Sequence, residues 1–260
     1  MKRILEPYAN PIRFPEIVGS DMYGTIKLDF LHRGPTHQCY YLTDRAACEE
    51  GFKAKSFPPE LYHDFMDNGF RRSGTVFYRS VCGACTQCRQ LRVPVDEFLP
   101  TKSQRRVLRK NEDVDLRVKL PEFTQEKPVL YSRYLELKHN RVEEAPVDSL
   151  RRFLYRSPVI TLEFEYRLRG TLIAVSIADI CSRSLSSVYV YYDPDYFGRS
   201  PGSLSALREL KFCKDKNIPY YYLGFHVGDC PAMNYKSRFL PYEILDPVVG
   251  WVRHRAGRPA

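Results

Sequence analysis

The sequence predicts an α+β fold, and three observations carry the prediction. From about residue 128, apolar residues recur first at helical spacing, then in strand-like runs, then as helix and strand again. Turn residues punctuate those runs at Arg169-Gly170 and Asn217-Ile-Pro219. Ahead of this region, the first hundred residues are rich in cysteine, glycine and aromatics and read as a separate Cys-rich α+β unit.

The expected organisation is a Cys-rich N-terminal domain over 1–100, a basic helical connector over 101–127, a second α+β domain over 128–250 and a basic tail over 251–260. In the connector, Lys102, Arg105, Arg106, Arg109 and Lys110 follow the spacing i, i+3, i+4, i+7, i+8, which is one face of a helix. Thr101 or Ser103 is placed to cap it. A face of one sign repels itself, so it serves phosphates better than stability. Val129–Lys138 and Val147–Tyr155 read as amphipathic helices, the second with Asp148 near its start. Val159–Tyr166, Leu172–Ile180 and Leu185–Tyr192 read as strands, with a tight turn at Arg169-Gly170 between the first two. Gly198–Ser203 is expected to be a loop, Leu204 to Lys216 a helix, and Tyr220–Leu223 a strand that breaks at Gly224. The segment Tyr222–Phe239 then gathers Asp229, Cys230, Asn234, Tyr235, Lys236 and Arg238 just past that strand, where scaffolds place their chemistry.

Composition narrows the partners. The chain has 260 residues, 43% hydrophobic and 27% charged, and a net charge of +9. A basic surplus of this size favours a polyanion, with nucleic acid the default. No run approaches the ~18 apolar residues of a membrane span, and Met1-Lys-Arg-Ile-Leu-Glu-Pro7 is too polar for a signal peptide, so a cytoplasmic protein is expected.

Cys82-Gly-Ala-Cys85-Thr-Gln-Cys88 is a C-x2-C-x2-C run, which in a cytosolic protein favours a metal or redox site over disulfides. Cys39 or Cys48 is available as a fourth ligand. Buried thiols that merely pack are the plain alternative, and the better one for Cys181 and Cys213. Cys230 lies four residues after His226, too little to make it a nucleophile.

The element order of 128–250 resembles the acyltransferase fold of the GCN5-related N-acetyltransferases, in which a Gly-rich loop opening a helix holds the pyrophosphate of coenzyme A. Arg199-Ser-Pro-Gly202-Ser-Leu204 matches that loop at Arg199 and Gly202 and departs from it at Leu204. A helix start with Pro and Gly suits an anion whichever ligand supplies it.

A more specific resemblance covers residues 35 to 245. Gly69-Phe-Arg-Arg-Ser-Gly74, Tyr78-Arg79, the C-x2-C-x2-C run and Arg92-Val-Pro-Val95 resemble the N-terminal half of the arginyl-tRNA–protein transferase family, and Cys39-Tyr-Tyr-Leu-Thr-Asp-Arg45 resembles its first cysteine box. Ser103-Gln-Arg-Arg106, Ile177-Ala-Asp179, Ser187-Val-Tyr-Val-Tyr-Tyr-Asp193 and Cys230-Pro-Ala-Met-Asn-Tyr-Lys-Ser-Arg-Phe239 continue the match in order. The length, without a long insert, is similar to the bacterial branch, the aspartate/glutamate leucyltransferases. The resemblance implies transfer of leucine from leucyl-tRNA to proteins beginning with Asp or Glu, marking them for degradation. Arginyl-tRNA is the alternative donor. It implies aminoacyl-tRNA and acidic-N-terminus proteins as partners, with no membrane or DNA. No cofactor is required for the chemistry, and an iron–sulfur cluster or zinc at Cys39, Cys82, Cys85 and Cys88 is carried over from the family.

An amine attacking an aminoacyl ester needs no covalent nucleophile. It needs positioning and a stabilised oxyanion. The expected assignments are Arg71 and Arg72, with Ser73 and Asn234, for the acceptor; Asp179, Asp229 and Tyr235 for the chemistry; and Arg105, Arg106, Arg109, Arg199, Gly202, Lys236 and Arg238 for tRNA. The competing readings are an acetyl-coenzyme A transferase and a non-enzymatic metal-bearing RNA-binding or redox-sensing protein.

Overall fold

The computed structural model describes residues 11–12, 31–143 and 145–255. In chain order the first layer holds β1 (Pro11–Ile12), β2 (Leu31–Arg33), β3 (His37–Gln38), β4 (Ala46–Ala47), β5 (Glu49–Lys53), α1 (Pro59–Asp67), β6 (Arg71–Ser73) and β7 (Val76–Ser80). These form a five-stranded sheet in the order β1-β2-β5-β7-β6 and a two-stranded ribbon of β3 with β4. The rest is β8 (Arg89–Pro94), α2 (Lys102–Lys110), β9 (Val114–Lys119), α3 (Glu126–His139), α4 (Pro146–Leu150), β10 (Thr161–Leu168), β11 (Thr171–Cys181), β12 (Ser184–Tyr192), α5 (Pro201–Asp215), β13 (Tyr220–His226), β14 (Tyr242–Asp246) and β15 (Gly250–His254). Their strands make one eight-stranded sheet in the order β15-β14-β8-β13-β12-β11-β10-β9.

This is a mixed α+β architecture, and its main sheet runs across the expected boundaries. β8, from the Cys-rich region, lies between β13 and β14, and β9, from the connector, forms an edge. Residues 251–254 of the expected tail belong to β15, and 256–260 lie outside the described residues.

Local chemistry explains most elements. Thr101 caps α2 through a capping box with Gln104. Arg169 and Gly170 both have positive φ, 50° and 85°, the two-residue hairpin geometry whose twist matches β10 and β11. The Val147–Tyr155 helix is α4 followed by a π-helical turn over Arg151–Tyr155. Gly198–Ser203 is not a plain loop. A 3-10 turn over Pro194–Arg199 leads into α5, which starts at Pro201 because proline suits the first helical position. Nor does β13 stop at Gly224. A bulge between Tyr222 and Gly224 keeps the strand paired with β8 as far as His226.

The main core joins Leu130, Tyr131, Tyr134 and Leu135 of α3, Leu204, Leu207 and Leu210 of α5, and sheet residues such as Phe164, Val175, Ile177, Leu185 and Tyr191. A second, largely aromatic cluster packs Tyr62, Phe65 and Met66 of α1 with Phe70, Phe77 and Tyr222. Tyr222 sits on β13, so this cluster binds the first layer to the main sheet.

Candidate functional site

β12 and β13 run parallel, whereas the other pairings of the main sheet are antiparallel. They pair only over Ser184–Ser186 against Tyr220–Tyr222 and then part. Arg71, reaching in from β6, fills the gap. Its Nη1 donates to Ser186 Oγ at 3.0 Å and its Nη2 to Ser187 O at 2.6 Å. On the other side lies Gly224, with φ of 83°, where a Cβ would sit 2.9 Å from the Arg71 guanidinium. Glycine is therefore required twice at 224, by the backbone and by the arginine.

Polar side chains surround that guanidinium. The Arg71 charge acts on the hydroxyls of Tyr41, Tyr78 and Tyr235 and on the ammonium of Lys236. Burial pushes all three phenols up, Tyr235 to about 12, so they are hydrogen-bond donors at neutral pH. Tyr235 still exposes 37% of its surface. Lys236 is buried, and its Nζ donates to Phe225 O at 2.6 Å, one residue beyond Gly224. Desolvation, then the Arg71 charge, lower it to about 7. Glu209 of α5 is wholly buried, accepts from Ser205 Oγ at 2.8 Å, Tyr221 Oη at 2.8 Å and Ser176 Oγ, and has its pKa raised by burial.

Two of the expected site residues are spent elsewhere. Asp179 is fully buried and accepts from Arg72 Nε at 2.6 Å, Arg72 Nη2 at 2.7 Å, Tyr62 Oη at 2.7 Å and Thr161 Oγ1 at 2.7 Å. Four donors saturate its lone pairs, so it is not free to serve as a base. Arg72 gives Nη1 to Gly74 O at 2.9 Å and so has no fork left for an acceptor. The pair ties β6 to β11. Asp229 is exposed and pairs with Arg45 at 3.2 Å, on the side of the cysteines. Ser73 is half-buried in β6 and Asn234 is exposed. Of the expected chemical and acceptor residues, the structure brings together Arg71 and Tyr235.

The residues expected on tRNA divide likewise. Arg105, Arg106 and Arg109 are exposed on α2 and make no ion pair among the described residues. The groove beside them is lined by Lys102, Arg105, Leu108 and Arg109. Gln104 Nε2 donates to Arg238 O at 3.1 Å, so α2 adjoins the Tyr222–Phe239 segment, with Arg238 exposed beside it. Arg199 instead forms a two-bond pair with Asp113, at 2.7 and 3.0 Å, and gives Nη1 to Lys110 O at 2.9 Å. Gly202 lies in the first turn of α5 with open space above its Cα. Because α5 connects two parallel strands, that turn lies at the end of the sheet where β12 and β13 part. Lys236 is buried in the site rather than displayed on the surface.

Ser186, Ser187, Gly224, Tyr41, Tyr78 and Glu209 were not expected as site residues. Glu209 carried no periodic signal: it stands on the opposite face of the helix from Leu204, Leu207 and Leu210, and only the structure shows that this face is buried as well.

Cys39, Cys82, Cys85 and Cys88 line one cavity of about 20 Å³, together with Tyr41, Arg45 and Val227. N–H groups point at the sulfurs: Leu42 N to Cys39 Sγ at 3.4 Å, Cys48 N to Cys82 Sγ at 3.4 Å and Arg45 Nη1 to Cys85 Sγ at 3.6 Å. Burial raises the Cys88 thiol to about 11. Four thiols, three of them receiving an N–H at sulfur, are the donor chemistry of a zinc or iron–sulfur site. As the side chains stand, no group of three or more His, Cys, Asp or Glu among the described residues is arranged to hold an ion. Cys181 and Cys213 are buried, as expected of core thiols.

The family models described as arginine-tRNA-protein transferase match this chain, the N-terminal one over residues 37–106 and the C-terminal one over residues 126–246. The aspartate/glutamate leucyltransferase of Hahella chejuensis is 34% identical over 214 residues, 81% of this chain and 92% of the relative. Those of Leptospira interrogans and Pseudomonas putida are 34% and 36% identical, over 85% and 80% of this chain and 88% and 90% of the relatives. Among solved structures, FemX is similar with a TM-score of 0.45 at 8% identity, over 74% of this chain and 68% of that one. The last likeness is too slight to carry a fold argument.

Proposed function

The chain belongs to the arginine-tRNA–protein transferase family, and from that premise we propose that it moves leucine from leucyl-tRNA to the α-amine of proteins beginning with Asp or Glu, marking them for degradation. It is an aminoacyltransferase of the leucyl-transferring kind. The observation that carries the assignment of chemistry to a place is the parting of β12 and β13 around Arg71.

The acceptor α-amine attacks the ester carbonyl carbon of leucyl-tRNA. A C–N bond forms, the C–O bond to the terminal ribose breaks, and the amine proton passes to the departing ribose oxygen. At pH 7 about a tenth of an ordinary α-amine is already neutral, so no strong base is required. Protonated phenols supply donors for the oxyanion, and the part-exposed Tyr235 is assigned that role. Cys230 has no part in the step. The tRNA end is read here as lying across Arg105, Arg106 and Arg109 of α2, Arg238 and the first turn of α5 at Gly202, where free backbone N–H groups suit a phosphate.

The succession α3, α4, β10, β11, β12, α5, β13 with one parting parallel pair supports a GCN5-related acyltransferase arrangement. Coenzyme A is not part of the reading, since Arg199 is held by Asp113. A zinc ion or iron–sulfur cluster on Cys39, Cys82, Cys85 and Cys88 would tie the segment after β3 to the connection between β7 and β8, with no step of the transfer passing through it. No helix among the described residues is long and apolar enough to cross a membrane, and a cytoplasmic setting is proposed.

Purified protein, leucyl-tRNA and a peptide beginning with Glu are expected to give N-terminally leucylated peptide by mass spectrometry. Transfer from arginyl-tRNA alone would overturn the donor, and transfer from neither would overturn the reading.

A further inference from the structure

Among the described residues five Lys or Arg are buried: Arg71, Arg72, Arg92, Lys127 and Lys236. Three are neutralised by acids. Arg72 meets Asp179 at 2.6 Å, Arg92 meets Asp67 and Glu243 at 2.8 Å each, and Lys127 meets Glu163 at 2.6 Å and Glu165 at 2.8 Å. The other two, Arg71 and Lys236, have no acidic partner among the described residues, and they are neighbours. Arg71 packs on Gly224, and Lys236 holds the carbonyl of Phe225. The nearby acid, Glu209, is bonded to Ser176, Ser205 and Tyr221 instead.

A guanidinium and an ammonium buried side by side without a counter-ion are costly, and desolvation followed by the Arg71 charge already lowers Lys236. Such an arrangement is stabilised when an anion enters. The donors are in hand: Arg71 has spent two of its five N–H groups and Lys236 one of its three. We propose that Arg71 and Lys236 together seat the carboxylate side chain of the acceptor's N-terminal Asp or Glu, and that Lys236 is a specificity residue. The inference rests on the transferase reading above. A small, desolvated carboxylate suits a buried cationic pair, whereas the solvated phosphates of tRNA suit the exposed cations of α2. A neutral amide in the same place leaves both cations unpaired, so Asn and Gln termini are rejected.

The test compares kcat/KM for peptides beginning with Glu and with Gln, using leucyl-tRNA. The wild-type protein is expected to prefer Glu strongly. Lys236→Met should lower kcat/KM for the Glu peptide by about 30-fold or more and leave the Gln peptide nearly unchanged. Lys236→Gln, which keeps an N–H for Phe225 O, should do the same if Lys236→Met folds poorly. An unchanged Glu-to-Gln ratio in a folded variant overturns the proposal. So does an equal loss with both peptides, or weakened leucyl-tRNA binding with the ratio intact, which would assign the anion to a phosphate. If the wild-type protein leucylates neither peptide, the transferase reading itself has failed, which is a different result.

Discussion

Arg71 and Arg72 are adjacent in β6 and point to opposite faces, as strand residues must. Arg72 closes on Asp179 in a pair with no exposed surface, while Arg71 enters the gap between β12 and β13. Removing one partner of such a buried pair leaves an uncompensated charge. Asp179→Ala is expected to cost about 3–5 kcal/mol in urea unfolding while leaving kcat per folded molecule nearly unchanged. A large fall in kcat with stability intact would return Asp179 to the chemistry. Lys236 gives a second prediction at this scale. Its pKa is lowered from 10.5 to about 7, so between those values the unfolded chain holds a proton that the folded protein has released. Stability therefore rises with pH from about 7 to about 10 through this group, and the contribution is flat below 7, where both states are charged. Melting temperatures at pH 6.5 and 8.5 should show that rise in the wild-type protein and lose it in Lys236→Gln.

Among elements, α2 carries the clearest division of labour. Its start is fixed by the Thr101–Gln104 capping box, and Gln104 also anchors it to Arg238 O. Its exposed Arg105, Arg106 and Arg109 then contribute little to the fold. Each Arg→Ala change should reduce the salt slope of tRNA binding by about 1 without lowering the melting temperature. Binding measured across a salt series checks this. This helix was legible in the sequence because capping and facial periodicity are local signals. The 3-10 turn before α5 and the bulge at Gly224 were not. A glycine after an apolar run reads as a strand end, and the pairing with β8 that carries β13 past it comes from residues more than a hundred positions away.

For the whole molecule, the decisive element is β8. Leu91 and Val93 are fully buried, and the strand completes the main sheet between β13 and β14. A chain cut after residue 100 exposes these residues and two strand edges, so it is expected to aggregate rather than fold, and the remainder loses the strand between β13 and β14. Light scattering and circular dichroism of the separated halves check the prediction. Two independently folded halves would refute it.

The sequence by itself determined the kind and order of the elements from α3 to β13, the basic face of α2, the polar segment after β13 and, through its motifs, the family, but not the strands β9, β14 and β15. Those are properties of spacing and residue type within a few turns of chain. Only the tertiary structure decided that Arg72 and Asp179 are partners 107 residues apart, that Arg71 and Lys236 share one buried place without a counter-ion, and that four cysteines from two segments line one cavity. The physical reason is that burial and charge compensation depend on which distant groups meet when the sheet closes, and no local pattern records that meeting.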